Sequence, residues 1–248
     1  LEKLYYGKKI THRNSFKHLI EREIRPSSNM FKHDHTSSLE HIKQEYPSYG
    51  TTDYRFPAHL ITDHHGSHIS EFQFDSYKII HGKPSLSGLP ATYVEDDREA
   101  ETLQITLVDH VLQCRLVLSY TIYENDNVIT RDAKFINDGS RSLNIHSAMS
   151  ASVDLPDDDY VMLHLNGAWA REGHVKAHKL FPGVQSIYST RGASSHTHNP
   201  FIALKREGAT EHEGEVYGFS LVYSGNFLAQ VEVDSYSVTR ILMGINPF

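Results

Sequence analysis

An all-β fold, built as two large antiparallel sheets packed face to face, is predicted by three features of the sequence. Apolar residues recur at every second position in run after run, helical spacing is nearly missing, and Gly, Asn, Asp or Pro bound the runs. Alternate residues of a strand face opposite sides, so each such run can bury one face and leave the other polar.

Taken in chain order, the first runs are Phe72/Phe74 and Leu103/Ile105/Leu107. The longest follows: Leu112, Cys114, Leu116, Leu118, Tyr120 and Ile122, ended by the turn signal Glu124-Asn125-Asp126-Asn127. Ile129, Ala133 and Phe135 then share one side of a strand and Thr130, Asp132 and Lys134 the other, up to the turn Asn137-Asp138-Gly139-Ser140. A third strand alternates Leu143, Ile145, Ser147, Met149, Ala151 and Val153. These three consecutive runs with short polar connections predict an antiparallel meander. Residues 160–165, 216–223, 227–233 and 238–245 complete the set. Helical spacing is confined to a short turn over residues 37–43. Residues 22–38, with Pro26, paired serines and His33-Asp34-His35, show no strand period and predict an exposed loop of the functional or mobile kind. The strands are too many for a sandwich of ~100 residues. With no linker or repeat, residues 1–248 read as a single domain.

Composition excludes several classes. The chain has 248 residues, 39% apolar and 22% charged, with 15 Gly, 9 Pro and one Cys, so it is neither disordered, collagen-like nor a disulfide framework. Cys114 alone cannot form an internal disulfide, which favours a reducing compartment. No apolar run approaches the ~20 residues of a membrane helix, and no signal peptide is visible; a cytoplasmic location with no membrane partner is the expectation. The net charge is −7 with 18 histidines neutral, and no Lys/Arg stripe exists to neutralise phosphates, so nucleic acid is not an expected partner. The chain starts at Leu1 and stops at Pro247-Phe248 directly after a strongly apolar segment, so it is expected to be a piece of something longer.

Catalytic constellations are weak. The pairs His33/His35 and His196/His198 have the spacing that puts two imidazoles on one face of a strand, but no Cys or H-E-x-x-H completes either, and no metal or cofactor is predicted. Glu95-Asp96-Asp97 and Asp157-Asp158-Asp159 offer carboxylates, yet adjacent carboxylates on polar loops lack the apolar pocket that separates acid from nucleophile in a glycosidase. Nucleophile-elbow, P-loop and dinucleotide motifs are missing. Trp169, the single tryptophan, sits in Gly167-Ala168-Trp169-Ala170-Arg171-Glu172, where small residues and an ion-pairing dipeptide suit either an interface or a satisfied loop.

Several long words carry a resemblance. Gln44-Glu45-Tyr46-Pro47-Ser48-Tyr49-Gly50, Leu89-Pro90-Ala91-Thr92-Tyr93-Val94, Ser150-Ala151-Ser152-Val153-Asp154, the Trp169 word, Arg191-Gly192-Ala193-Ser194-Ser195-His196, and Gly214-Glu215-Val216-Tyr217-Gly218-Phe219 through Ser224-Gly225-Asn226-Phe227-Leu228-Ala229-Gln230 occur in this order. Together they resemble the N-terminal domain of bacterial glycoside hydrolase family 36 α-galactosidases over nearly the whole chain. The resemblance implies a β-supersandwich with about one further strand before Leu1. Beyond Phe248 it implies a (β/α)8 barrel and a C-terminal β domain. It implies a retaining enzyme that releases terminal α-linked galactose from melibiose, raffinose and stachyose, with both catalytic aspartates on the barrel and so none in this chain. The sandwich is then expected to support the barrel and help build a homo-tetramer.

On that footing the 22–38 loop approaches a neighbouring subunit's site. Glu23 is its acidic contact, and His35 stands where a permanently charged base would be looked for, which makes substrate contact there pH dependent near neutrality. Trp169, Arg171, Arg191, His196 and His198 read as elements of a polar, partly wet interface with the barrel. A stand-alone carbohydrate-binding module and a mutarotase-like sandwich enzyme are the alternatives. The first would need an exposed aromatic platform, the second a His and Glu in one cleft.

Overall fold

The structure, a computed structural model, describes residues 1–22, 34, 36–50 and 52–248. The described chain is all-β, as the alternation predicts, and its strands pair antiparallel throughout. It divides into two compact units, residues 1–85 with 93–148, and 86–92 with 149–248. The division runs through the middle of one strand, so no linker marks it in the sequence.

The first unit holds β1 (His59–Thr62), β2 (Gln73–His81), β3 (Ala100–Asp109), β4 (Cys114–Tyr123), β5 (Val128–Asn137) and the start of β6 (Asn144–Leu155). The four strands β2-β3-β4-β5 form a meander in sequence order. β6 does not extend it as predicted: its N-terminal part pairs with β1. The connection 138–143, polar up to Ser142, is long enough to carry the chain out of the meander, and alternation within a strand says nothing about which neighbour it takes. Leu107 and Leu116, paired in register across β3 and β4, are buried, as is Leu118. Beside them Tyr46 stacks on His59 at 5.4 Å, and His59 meets Phe72 and Phe135 at 5.4 and 5.5 Å. Burial lowers the His59 imidazole to about 4, because the cation would have to leave water.

Buried ion pairs anchor the chain before β1. Arg55 is bonded to Asp53 at 2.8 Å and donates to the carbonyls of Leu39 and Ile42 at 3.0 and 2.8 Å. Glu45 accepts from Arg131 at 2.5 Å and from the Tyr120 hydroxyl at 2.8 Å. The helical turn expected over residues 37–43 amounts to one bond, Ile42 N–H to Ser38 C=O at 3.4 Å, with no helix around it.

The second unit is a two-sheet sandwich. One sheet is ordered β11-β10-β7-β8, from β7 (Val161–Ala168), β8 (Arg171–Lys179), β10 (His198–Lys205) and β11 (Val216–Ser220). The other joins the end of β6 to β13 (Thr239–Ile245), β12 (Phe227–Val233) and β9 (Gly183–Tyr188). β10 packs on β12 and β9, and Met162, Ile202, Leu204, Phe227 and Val231 are all buried between the sheets. Arg240 and Asp154, paired in register on β13 and β6, lie fully buried and bond twice at 2.9 Å. This two-point, charge-assisted contact keeps both charges paired away from water.

Candidate functional site

Two of the words singled out in the sequence meet at one corner of the second unit. β7 and β8 are joined by the turn Trp169-Ala170, with Ala168 paired to Arg171. Ala170 adopts φ +63°, and its N–H donates to the Glu172 carboxylate at 2.9 Å. Glu172 therefore closes the turn; it does not form the ion pair with Arg171 that the dipeptide suggested. The Trp169 indole is left standing in solvent, 85% exposed.

Behind the turn the ladder slips at Gly167. A Cβ there would lie 2.5 Å from the Arg171 carbonyl oxygen, 2.7 Å from Glu172 Cα and 3.0 Å from the His196 carbonyl oxygen, so only glycine lets these backbones approach. The Gly167 N–H and the Asn166 side-chain amide both donate to the Thr197 carbonyl, at 3.2 and 3.0 Å. The segment leading to His196 is itself braced. Ser189 Oγ donates to the Ala193 carbonyl at 2.6 Å, Gly192 N–H to Asn226 at 2.6 Å, and Ser194 N–H to the Ser224 carbonyl at 2.6 Å. Two words separated in sequence are one physical object: a turn that presents an indole, clamped by a loop.

Trp169, Arg171 and His196 thus belong to this corner. The Arg171 and Arg191 side chains are exposed and have no hydrogen-bond or ion-pair partner among the described residues. Arg191 sits at the far end of the loop, in the Gly192 turn. His198 opens β10 while His196 precedes it, so the two do not share a strand face as H-x-H spacing suggested. His198 lies 5.6 Å from His164, a β7 residue the sequence reading did not single out, and burial lowers both imidazoles. Glu23 and His35 lie outside the described residues. Between them in sequence, Asp34 accepts from Thr36 N–H, Thr36 Oγ and Ser37 Oγ at 2.9, 2.6 and 2.6 Å, bonds that hold its carboxyl at about 2.

The carboxylate runs are engaged in structure. Asp157 accepts twice from Arg206, at 2.5 and 3.0 Å, and stays below its usual range. Asp96 caps the short 3-10 turn Asp97–Glu99 by accepting from Arg98 N–H at 2.9 Å. The exposed indole and the exposed guanidinium two residues away combine apolar area with a directional donor.

The comparisons with known proteins agree along the whole chain. The model of the glycosyl hydrolase family 36 N-terminal domain matches residues 1–248. The α-galactosidase AgaA of Geobacillus stearothermophilus is 48% identical over 248 residues, all of this chain and 34% of that protein. Its crystal structure superposes with a TM-score of 0.96, at 49% identity, over 100% of this chain and 34% of the other; a variant of it in complex with stachyose gives 0.96 with the same identity and coverage. The α-galactosidase of Lactobacillus brevis gives a TM-score of 0.97 at 42% identity, covering 99% of this chain and 33% of that one. The chain spans about a third of the length of the curated relatives it matches.

Proposed function

The chain belongs to glycosyl hydrolase family 36 as its N-terminal domain, and from that premise we propose that it is the non-catalytic sandwich of a retaining α-galactosidase. The enzyme removes terminal α-linked galactose from oligosaccharides such as melibiose and raffinose, using two aspartates of a barrel domain. The observation that carries this reading is the 48% identity to an α-galactosidase across every residue of the chain.

The state of its carboxylates supports the reading. A retaining mechanism needs two carboxyl groups about 5–5.5 Å apart, one of them kept protonated until it donates. Asp53, Asp154 and Asp157 are instead each locked to an arginine. The Trp169–Arg171 turn contacts the rest of the enzyme or another subunit of a homo-tetramer, and Glu23 and His35 reach toward a neighbouring subunit's substrate.

Two measurements test this. Full-length protein should release galactose from raffinose, and inactivity on every α-galactoside tried would overturn the assignment. Glu23→Gln and His35→Ala should alter hydrolysis of stachyose more than of an aryl α-galactoside; equal effects on both would remove these residues from substrate contact.

A further inference from the structure

The loop after β1 reads Asp63-His64-His65-Gly66-Ser67-His68, and the structure sets it beside a fourth histidine, His146 of β6. We propose that His68 and His146 form a two-imidazole clamp for a late divalent transition ion, Cu2+ above Ni2+ or Zn2+, completed by the Thr62 hydroxyl and water. His68 Nδ1 and His146 Nε2 converge on the same atom, Thr62 Oγ, at 2.9 and 2.6 Å. Two ring nitrogens from different segments of the fold therefore stand within 5.5 Å of each other, bonded to one atom.

The backbone is built to hold them there. Pairing of β1 with β6 jumps from Leu60↔Ser147 to Ile61↔Ile145, which leaves His146 as the extra, unpaired residue of a bulge. A bulge re-aims the side chain it carries, here toward Thr62. On the other side the loop is tight: Asp63 N–H donates to the Ser67 carbonyl at 3.0 Å, Gly66 N–H to Asp63 C=O at 3.1 Å, and Asp63 Oδ1 accepts from the N–H groups of His65 and Ser67 at 2.9 and 2.8 Å. Gly66 supplies the left-handed φ of +83° that the loop requires. His68 thus leaves a fixed loop with its ring edge-on to Tyr49, 6.4 Å between centroids.

A threonine hydroxyl has a single proton and can donate to only one of the two nitrogens; the other must donate to it. One cation satisfies both rings as lone-pair donors, and imidazole pairs are bound in the order that places Cu2+ first. Both rings are exposed, and binding a shared ion would bring each nitrogen to about 2.0–2.1 Å of it. No group of three or more His, Cys, Asp or Glu is arranged for a metal among the described residues, so the site rests on two imidazole nitrogens, the Thr62 hydroxyl and water.

The test uses purified full-length protein stripped with a chelator and then dialysed against Cu2+. One bound Cu2+ should show two-imidazole nitrogen coupling in its electron paramagnetic resonance spectrum. His68→Ala and His146→Gln, the latter able to keep a bond to Thr62, should each weaken that binding at least about tenfold, the minimum expected when even an outer partner of a ligand is lost. His64→Ala should leave it intact. Unchanged binding in either the His68 or the His146 variant, or a wild-type protein that takes up no Cu2+ with this signature, would overturn the proposal.

Discussion

Replacing Gly167 by alanine probes the corner where indole and loop are joined. The added methyl would sit 2.5–3.0 Å from three backbone atoms that belong to β8 and to the loop at His196. Ordinary contacts to such atoms are several tenths of an ångström longer, and backbone cannot step aside as a flexible side chain does. Relief therefore requires both the β8 backbone at Arg171 and Glu172 and the 196–197 segment to move away from Gly167. That movement stretches the Gly167 and Asn166 bonds to Thr197, at 3.2 and 3.0 Å. Overpacking costs about 1–3 kcal/mol and the two neutral hydrogen bonds about 1 kcal/mol each, so the variant should lose about 3–5 kcal/mol. Urea unfolding of the full-length enzyme, followed by a signal confined to this domain, measures the loss. A Gly167→Ala protein within about 0.5 kcal/mol of the parent would refute the claim that glycine is required by close approach.

Other sites give sharper contrasts. Arg240→Met should cost about 3–5 kcal/mol, because the buried Asp154 would lose its two-point charged partner, and calorimetry reads this directly. Trp169→Ala should change stability of the isolated domain by less than about 0.5 kcal/mol, since the ring is 85% exposed, and should shift the sedimentation profile of the assembled enzyme if the turn lies between subunits; an unaltered profile removes it from the subunit interface. His59 makes stability pH dependent. Its folded value of about 4 lies below the ordinary 6.5, so its contribution is complete above 6.5 and is lost as pH falls toward 4, by about 3 kcal/mol at most. Melts at several pH values should show that slope reduced in His59→Phe, and an identical slope would place the acid sensitivity elsewhere.

The longer alternating strands were legible in sequence, whereas β1, β9 and β10 were not read from it. Phe227, Ala229, Val231 and Val233 alternate in sequence and are buried in the structure. β8 escaped because Arg171–Lys179 is an edge strand exposed on nearly all its residues, so burial imposes no pattern on it. The pairing of β6 with β1 was equally hidden, since register and neighbour are set by packing between distant segments. At the candidate site, the small residues around Trp169 marked the word as an interface or a satisfied loop, and the turn itself was not read. Its clamp by the 196–197 backbone could not be read, because carbonyl and N–H groups carry no sequence identity. His146 shows the same limit: an ordinary position in an alternating run becomes an aimed ligand only through a bulge.

The central claim is that these residues serve a hydrolysis they do not perform. Galactose release from raffinose, measured side by side for the full-length protein and for the 248-residue chain at equal molarity, tests it most directly. The prediction is steady release by the first and none above the blank by the second. Turnover by the chain alone, abolished by replacing one of its own carboxylates, would contradict it.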